Sequence, residues 1–132
     1  MWFAAAVLTI APSAVGAVCA PADLAGGWDA YAIGVDDEGP FWERCNIRFS
    51  AAARILSGSF CVDDTGARST LSGRLIVRSN CRMVGSFTQQ FSGGSSNCSF
   101  SQATLSLDKE VASGVGKCDG GASIFAFDMI QR

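Results

Sequence analysis

The chain has 132 residues, 48% hydrophobic and 17% charged, with a formal net charge of −2 and no histidine. Such a length accommodates one hydrophobic core and excludes a second, and the apolar balance excludes a disordered polar chain. The ten Lys and Arg residues are scattered, so no basic stripe follows a phosphate backbone and nucleic acid is excluded as a partner.

Residues 1–17 carry no charge; an apolar run gives way to small residues between Ala14 and Ala17. The pattern is that of a secretory signal peptide, with Val15 and Ala17 at the small-residue positions before cleavage, leaving a single domain over 18–132. A membrane anchor is the alternative, but Pro12 and Gly16 shorten the apolar run below the roughly 20 residues a span requires. A secreted or periplasmic location follows, with no membrane span in the mature chain. Six cysteines in so short a chain agree, because they read as disulfides of an oxidising compartment.

From Trp28 onward apolar residues recur at every second position, which is the period of a half-buried strand. Trp28, Ala30 and Ala32 alternate with Asp29, Tyr31 and Ile33; in the next strand Phe41, Cys45, Ile47 and Phe49 share one face, opposite Arg44, Asn46 and Arg48. Further strands are predicted over 54–61, 69–78, 81–90, 98–107, 111–117 and 122–130, the last with Phe125, Phe127 and Met129 in one stripe. Clusters of Asp, Gly and Ser at 36–40, 63–66, 92–96 and 119–121 supply the turns between them. Eight strands in series predict an all-β, antiparallel up-and-down barrel, with a β-sandwich as the alternative. Folding two of the hairpins about their middles places Cys45 opposite Cys61 and Cys98 opposite Cys118, which leaves Cys19 for Cys81. Each hairpin bridge then contributes about 3 kcal/mol by the chain-entropy argument.

Catalysis is hard to assemble from these residues. Without His there is no Ser-His-Asp or Cys-His arrangement, and the acids fall in turns where acids are common. No enzyme activity and no cofactor are expected. No metal site is expected either, for the chain has no Cys-x-x-Cys pair, and Asp36, Asp37 and Glu38 read as a solvated hairpin tip. Trp28, Trp42, Phe49, Phe60, Phe87, Phe91, Phe100, Phe125 and Phe127 are candidates to line a lumen or to fill a core.

Leu24-Ala25-Gly26-Gly27-Trp28 at the start of the first strand resembles the Gly-x-Trp signature of the lipocalin-like (calycin) barrels, here Gly26 and Trp28. The resemblance implies that Trp28 plugs the closed end of a barrel and that a basic residue from the last strand crosses it, for which Arg132 is the nearest candidate. Residues 21–28, followed by Cys45-Asn46-Ile47-Arg48-Phe49 and Cys61, are similar to the bacterial inhibitors of serralysin-type zinc metalloproteases. This likeness spans the first third of the mature chain, and implies that Val18, Cys19, Ala20, Pro21 and Ala22 form an arm that enters a protease cleft. The first expectation is therefore an exported, monomeric, non-enzymatic barrel that binds a protein, inhibiting a secreted metalloprotease. The alternative is a lipocalin-like carrier of a small apolar ligand in the barrel lumen. Lumen volume separates the two, since an interior packed solid by Phe87, Phe125 and Phe127 would remove the carrier.

Overall fold

The computed structural model describes residues 18–132; the signal peptide read over 1–17 lies outside the described residues. A short 3-10 turn, Pro21–Leu24, leads into β1 (Gly26–Asp36), β2 (Gly39–Phe49), β3 (Phe60–Asp63) and β4 (Arg68–Val77). Then follow β5 (Met83–Phe91), β6 (Gly94–Leu105), β7 (Val111–Cys118) and, after a second 3-10 turn, β8 (Ser123–Gln131). Every strand pairs antiparallel with its chain neighbour, and β1 returns to β8 from Trp28↔Gln131 to Val35↔Ile124. That last pairing closes the sheet into an eight-stranded barrel, and the sandwich alternative does not hold. Among the described residues, closure leaves no strand at the edge of the sheet.

Alternation sorts the side chains as the period-2 pattern requires. On β1, Trp28 and Ala30 are buried while Tyr31, Ile33 and Val35 face out, so this strand is apolar on both sides. Ile33 pairs with Trp42 and Val35 with Ile124, which makes the exposed apolar residues contiguous across the outer face of β8, β1 and β2.

Three element boundaries differ from the sequence reading. The strand predicted over 54–61 is confined to Phe60–Asp63, with only isolated bridges at Arg54 and Ile55. Here Gly58 adopts a left-handed φ of 92° and the Ser59 hydroxyl accepts from the Arg48 N–H (3.0 Å) and donates to the Leu56 carbonyl (2.8 Å). The segment thus satisfies its polar groups locally instead of through a ladder. At Cys81 a tight turn (Cys81 N–H to Arg78 carbonyl, 2.9 Å) delays β5 until Met83. The hairpin between β5 and β6 needs only Ser92 and Gly93 in its loop, because Phe91 already pairs with Gly94.

The barrel has a closed floor and an open mouth. Leu24, Trp28 and Ala53 (each 0% exposed) pack with Met83 and Leu105 across the floor. The Trp28 indole Nε1–H donates to the Leu24 carbonyl at 2.8 Å, tying the plug to the 3-10 turn that precedes it. Three disulfides staple this frame. Cys45–Cys61 and Cys98–Cys118 cross facing residues of adjacent strands, and Cys19–Cys81 fastens the N-terminal segment to the turn beneath β5. Bridges of this number suit an oxidising environment. Among the described residues, no helix is long and apolar enough to cross a membrane.

Candidate functional site

Above the floor the barrel is hollow. A cavity of about 490 Å³ runs from the level of Leu75 and Met129 up to the turns at Asp36–Pro40, Asp63–Thr65 and Asp119–Ser123. An eight-stranded barrel is near the size at which side chains can just fill the interior, so small residues decide whether space remains. Ala30, Ala32 and Gly34 follow one another on the inward face of β1. A Cβ on Gly34 would stand 2.5 Å from the Phe41 ring, and one on Gly116 would stand 2.5 Å from the Phe125 ring. Glycine at these two positions lets each ring lie against the opposite strand instead of projecting across the lumen.

One wall of the cavity is aromatic. Phe87, Phe100, Phe125 and Phe127 form a chain of ring contacts with centroids 4.9 to 6.3 Å apart. These rings, which could have filled the interior, line it instead. Trp28 lies beneath the cavity, Trp42 is on the outside of the barrel, and Phe60 is stacked under Arg68 at 3.7 Å. Of the nine candidate aromatics, these three do not line the lumen.

The polar groups of the lumen escaped the sequence reading. Glu43 shares the inward parity of Phe41 and Cys45, and its Oε2 accepts from Gln89 Nε2 at 2.9 Å. Gln89 is itself buried and donates to Ser69 Oγ at 2.8 Å. Each of the three is a polar residue on an otherwise apolar inward stripe. Parity alone would have found them; composition hides them.

Burial pushes the Glu43 carboxyl above its ordinary value of 4.5, the Gln89 donor opposes this, and the negative charge of Asp63 adds to it. Ionising Glu43 is therefore less favourable in the folded chain than in the unfolded one. Its effect on stability is absent below the ordinary value and grows more unfavourable as pH rises through the folded value. The difference in Tm between the native chain and Glu43→Gln should accordingly widen in favour of the variant from pH 4.5 to pH 7. Thermal melts at half-unit intervals check this; a constant difference would contradict the assignment. Glu43, Cys45 and Cys61 also come within 4.8 Å of one another, but both sulfurs are in a disulfide, so no thiolate is present to hold a metal.

The arm residues sit at the other end of the barrel, and none of them lines the cavity. Val18 is 70% exposed, but Cys19 is buried, disulfide-bonded, and donates its N–H to the Ser79 carbonyl at 3.1 Å. The Ala20 N–H donates to Asp23 Oδ2 at 2.7 Å, Pro21 and Ala22 lie in the 3-10 turn, and Asp23 pairs with Lys109 at 3.3 Å. The segment is thus held against the floor from Cys19 onward. Gly26 opens β1 with a left-handed φ of 109°. Arg132 does not cross Trp28; it lies outside the barrel, with Nη2 donating to Asn46 Oδ1 at 2.9 Å and Nε 3.4 Å from Asp29 Oδ1.

No protein-family model and no curated protein matches the chain. The fold is similar to two redesigned β-barrels, mFAP0 and mFAP1, each solved bound to DFHBI. Both superpose with a TM-score of 0.65, at 14% and 15% identity, over 83% and 86% of this chain and 99% and 98% of theirs. At that identity the likeness is one of fold: an eight-stranded antiparallel barrel.

Proposed function

We propose that this chain is an exported, non-enzymatic binding barrel that carries one small ligand in its lumen. The cavity carries this reading: about 490 Å³, lined mainly by apolar and aromatic side chains, with Glu43 and Gln89, the latter held by Ser69, as the polar groups below its mouth. That is the size and make-up of a small-molecule site. The barrels mFAP0 and mFAP1 hold a small ligand, DFHBI, on the same fold, which supports the reading. Absence of His from the chain supports a carrier over a catalyst.

The protease-binding alternative has less behind it, because Cys19 and Asp23 tie its arm to the floor. Inhibition constants against secreted zinc metalloproteases, measured with a chain beginning at Val18, test it directly.

Titration with N-phenyl-1-naphthylamine, a neutral apolar fluorophore, tests the carrier. Saturable fluorescence enhancement at one site per chain is expected. Ala32→Trp, which directs an indole into the open wall of β1, should weaken it at least tenfold while the far-UV spectrum is kept. Failure of the native chain to saturate, or equal binding by the variant, would overturn the lumen as the site.

A further inference from the structure

The chain has 12 acidic and 10 basic residues, yet they are not shared evenly with the cavity. Asp36, Asp37, Glu38, Asp63, Asp64 and Asp119 stand around the mouth and Glu43 stands inside it, which makes seven of the 12 acids, whereas none of the ten Lys or Arg residues lines it. None of the seven is in an ion pair, since the ion pairs among the described residues are Asp23–Lys109 and Asp29–Arg132. The site has a single sign of charge.

Resting on the carrier reading above, we infer that the ligand is an organic amine: an apolar or aromatic body bearing one ammonium group, which pairs with Glu43. Each other class of small ligand fits worse. An apolar carboxylate or phosphate would enter a mouth of six acids and meet a seventh carboxylate with no cation to offset it. A wholly neutral apolar ligand would cover Glu43, which must then either remain a desolvated carboxylate with Gln89 as its one hydrogen-bond donor or take up a proton. An ammonium satisfies it. Glu43 Oε1 accepts no hydrogen bond from the described residues, and is free to take a charge-assisted one. The faces of Phe87, Phe100, Phe125 and Phe127 offer a cation further attraction, and an aromatic body stacking partners.

The position of Glu43 also sets the orientation. It is the fifth residue of β2, counted from the mouth at Gly39, and so lies roughly 13 Å down the strand at about 3.3 Å per residue. Leu71, Leu75, Ile47 and Met129 line the cavity without any ionisable group among them. The ammonium is therefore held at Glu43, and the apolar body lies against these residues and the phenylalanines. The acids at the mouth raise the local concentration of cations and speed entry.

Three naphthalenes of nearly one shape separate charge from size: 1-naphthylmethylamine, 1-naphthalenemethanol and 1-naphthoate. Their affinities are read by displacement of N-phenyl-1-naphthylamine at pH 7.5. On the native chain the amine should bind at least tenfold tighter than the alcohol, and the carboxylate weakest of the three. In Glu43→Gln the gap between amine and alcohol should shrink to within threefold through loss of amine affinity, and an unchanged far-UV spectrum with a cooperative thermal melt shows that the variant is folded. An alcohol or carboxylate that equals the amine on the native chain overturns the inference, and leaves the carrier standing. A gap that survives in Glu43→Gln overturns the role of Glu43. Saturable fluorophore binding that no naphthalene displaces likewise overturns the amine. No fluorophore binding at all defeats the carrier itself, and the inference with it.

Discussion

Replacing Trp28 with Ala is expected to lower stability by about 4 kcal/mol, or roughly 12–24 °C in Tm. Trp28 is 0% exposed and packs with Leu24, Ala53, Met83 and Leu105 where the eight strands converge below the cavity. Truncation removes the indole from a well-packed floor whose strands are held by ladder hydrogen bonds on both sides, so little collapse can fill the gap. Trp28→Phe separates packing from polarity. It keeps an aromatic ring but leaves the Leu24 carbonyl without its 2.8 Å donor, a change of about 1–2 kcal/mol. Denaturant unfolding of both variants checks the ordering. A loss below about 1 kcal/mol for the Ala variant would contradict the assignment of Trp28 as the plug.

The second large effect is expected from the Cys19→Ser/Cys81→Ser double variant, at about 4 kcal/mol by the chain-entropy argument. Its bridge spans 62 residues, against 16 and 20 for the two hairpin bridges, so it restricts the unfolded chain most. It also holds the segment that covers the floor. Without it, the hydrogen bonds of Cys19 and Ala20 and the Asp23–Lys109 pair remain as tethers, and the exposed pair contributes little. Limited proteolysis should therefore cut within 18–24 in the variant well before the barrel is digested. Equal Tm values and equal proteolysis of the two chains would show that the bridge does neither job. Protease inhibition that appears only in the variant would revive the arm as a partner-binding segment.

How far the sequence carries can be seen strand by strand. Alternation along β2, β4 and β8 marks their inward faces, because period 2 is a local property of extended backbone. The third strand was legible only at its end. Ile55 reads as strand-like but is buried as part of the floor, in a loop held by Ser59, and burial there follows from the barrel above it rather than from its neighbours in sequence. Trp42 misleads in the opposite direction. A large aromatic residue in a strand suggests core, yet its parity puts it outside, beside Ile33. Glu43, Gln89 and Ser69 were legible in principle from the same parity, but a polar residue on an apolar stripe reads as noise until its partners are seen to meet.

By itself, the sequence determined a row of eight strands, the turns between them, cysteines spaced to face one another across two hairpins, and a chain without histidine. All of these depend on residues near one another along the chain. Closure of the sheet was decided only in three dimensions, since β1 and β8 are at opposite ends of the described chain and no local pattern distinguishes their pairing from two free edges. So was the hollow interior. Whether the phenylalanines fill a lumen or line it depends on where Gly34 and Gly116 lie across the ladder from Phe41 and Phe125. The charge of the site arose in the same way: acids from separate turns meet at one mouth because every second hairpin ends there, while each basic residue is carried on a face, a turn or a terminus outside the lumen.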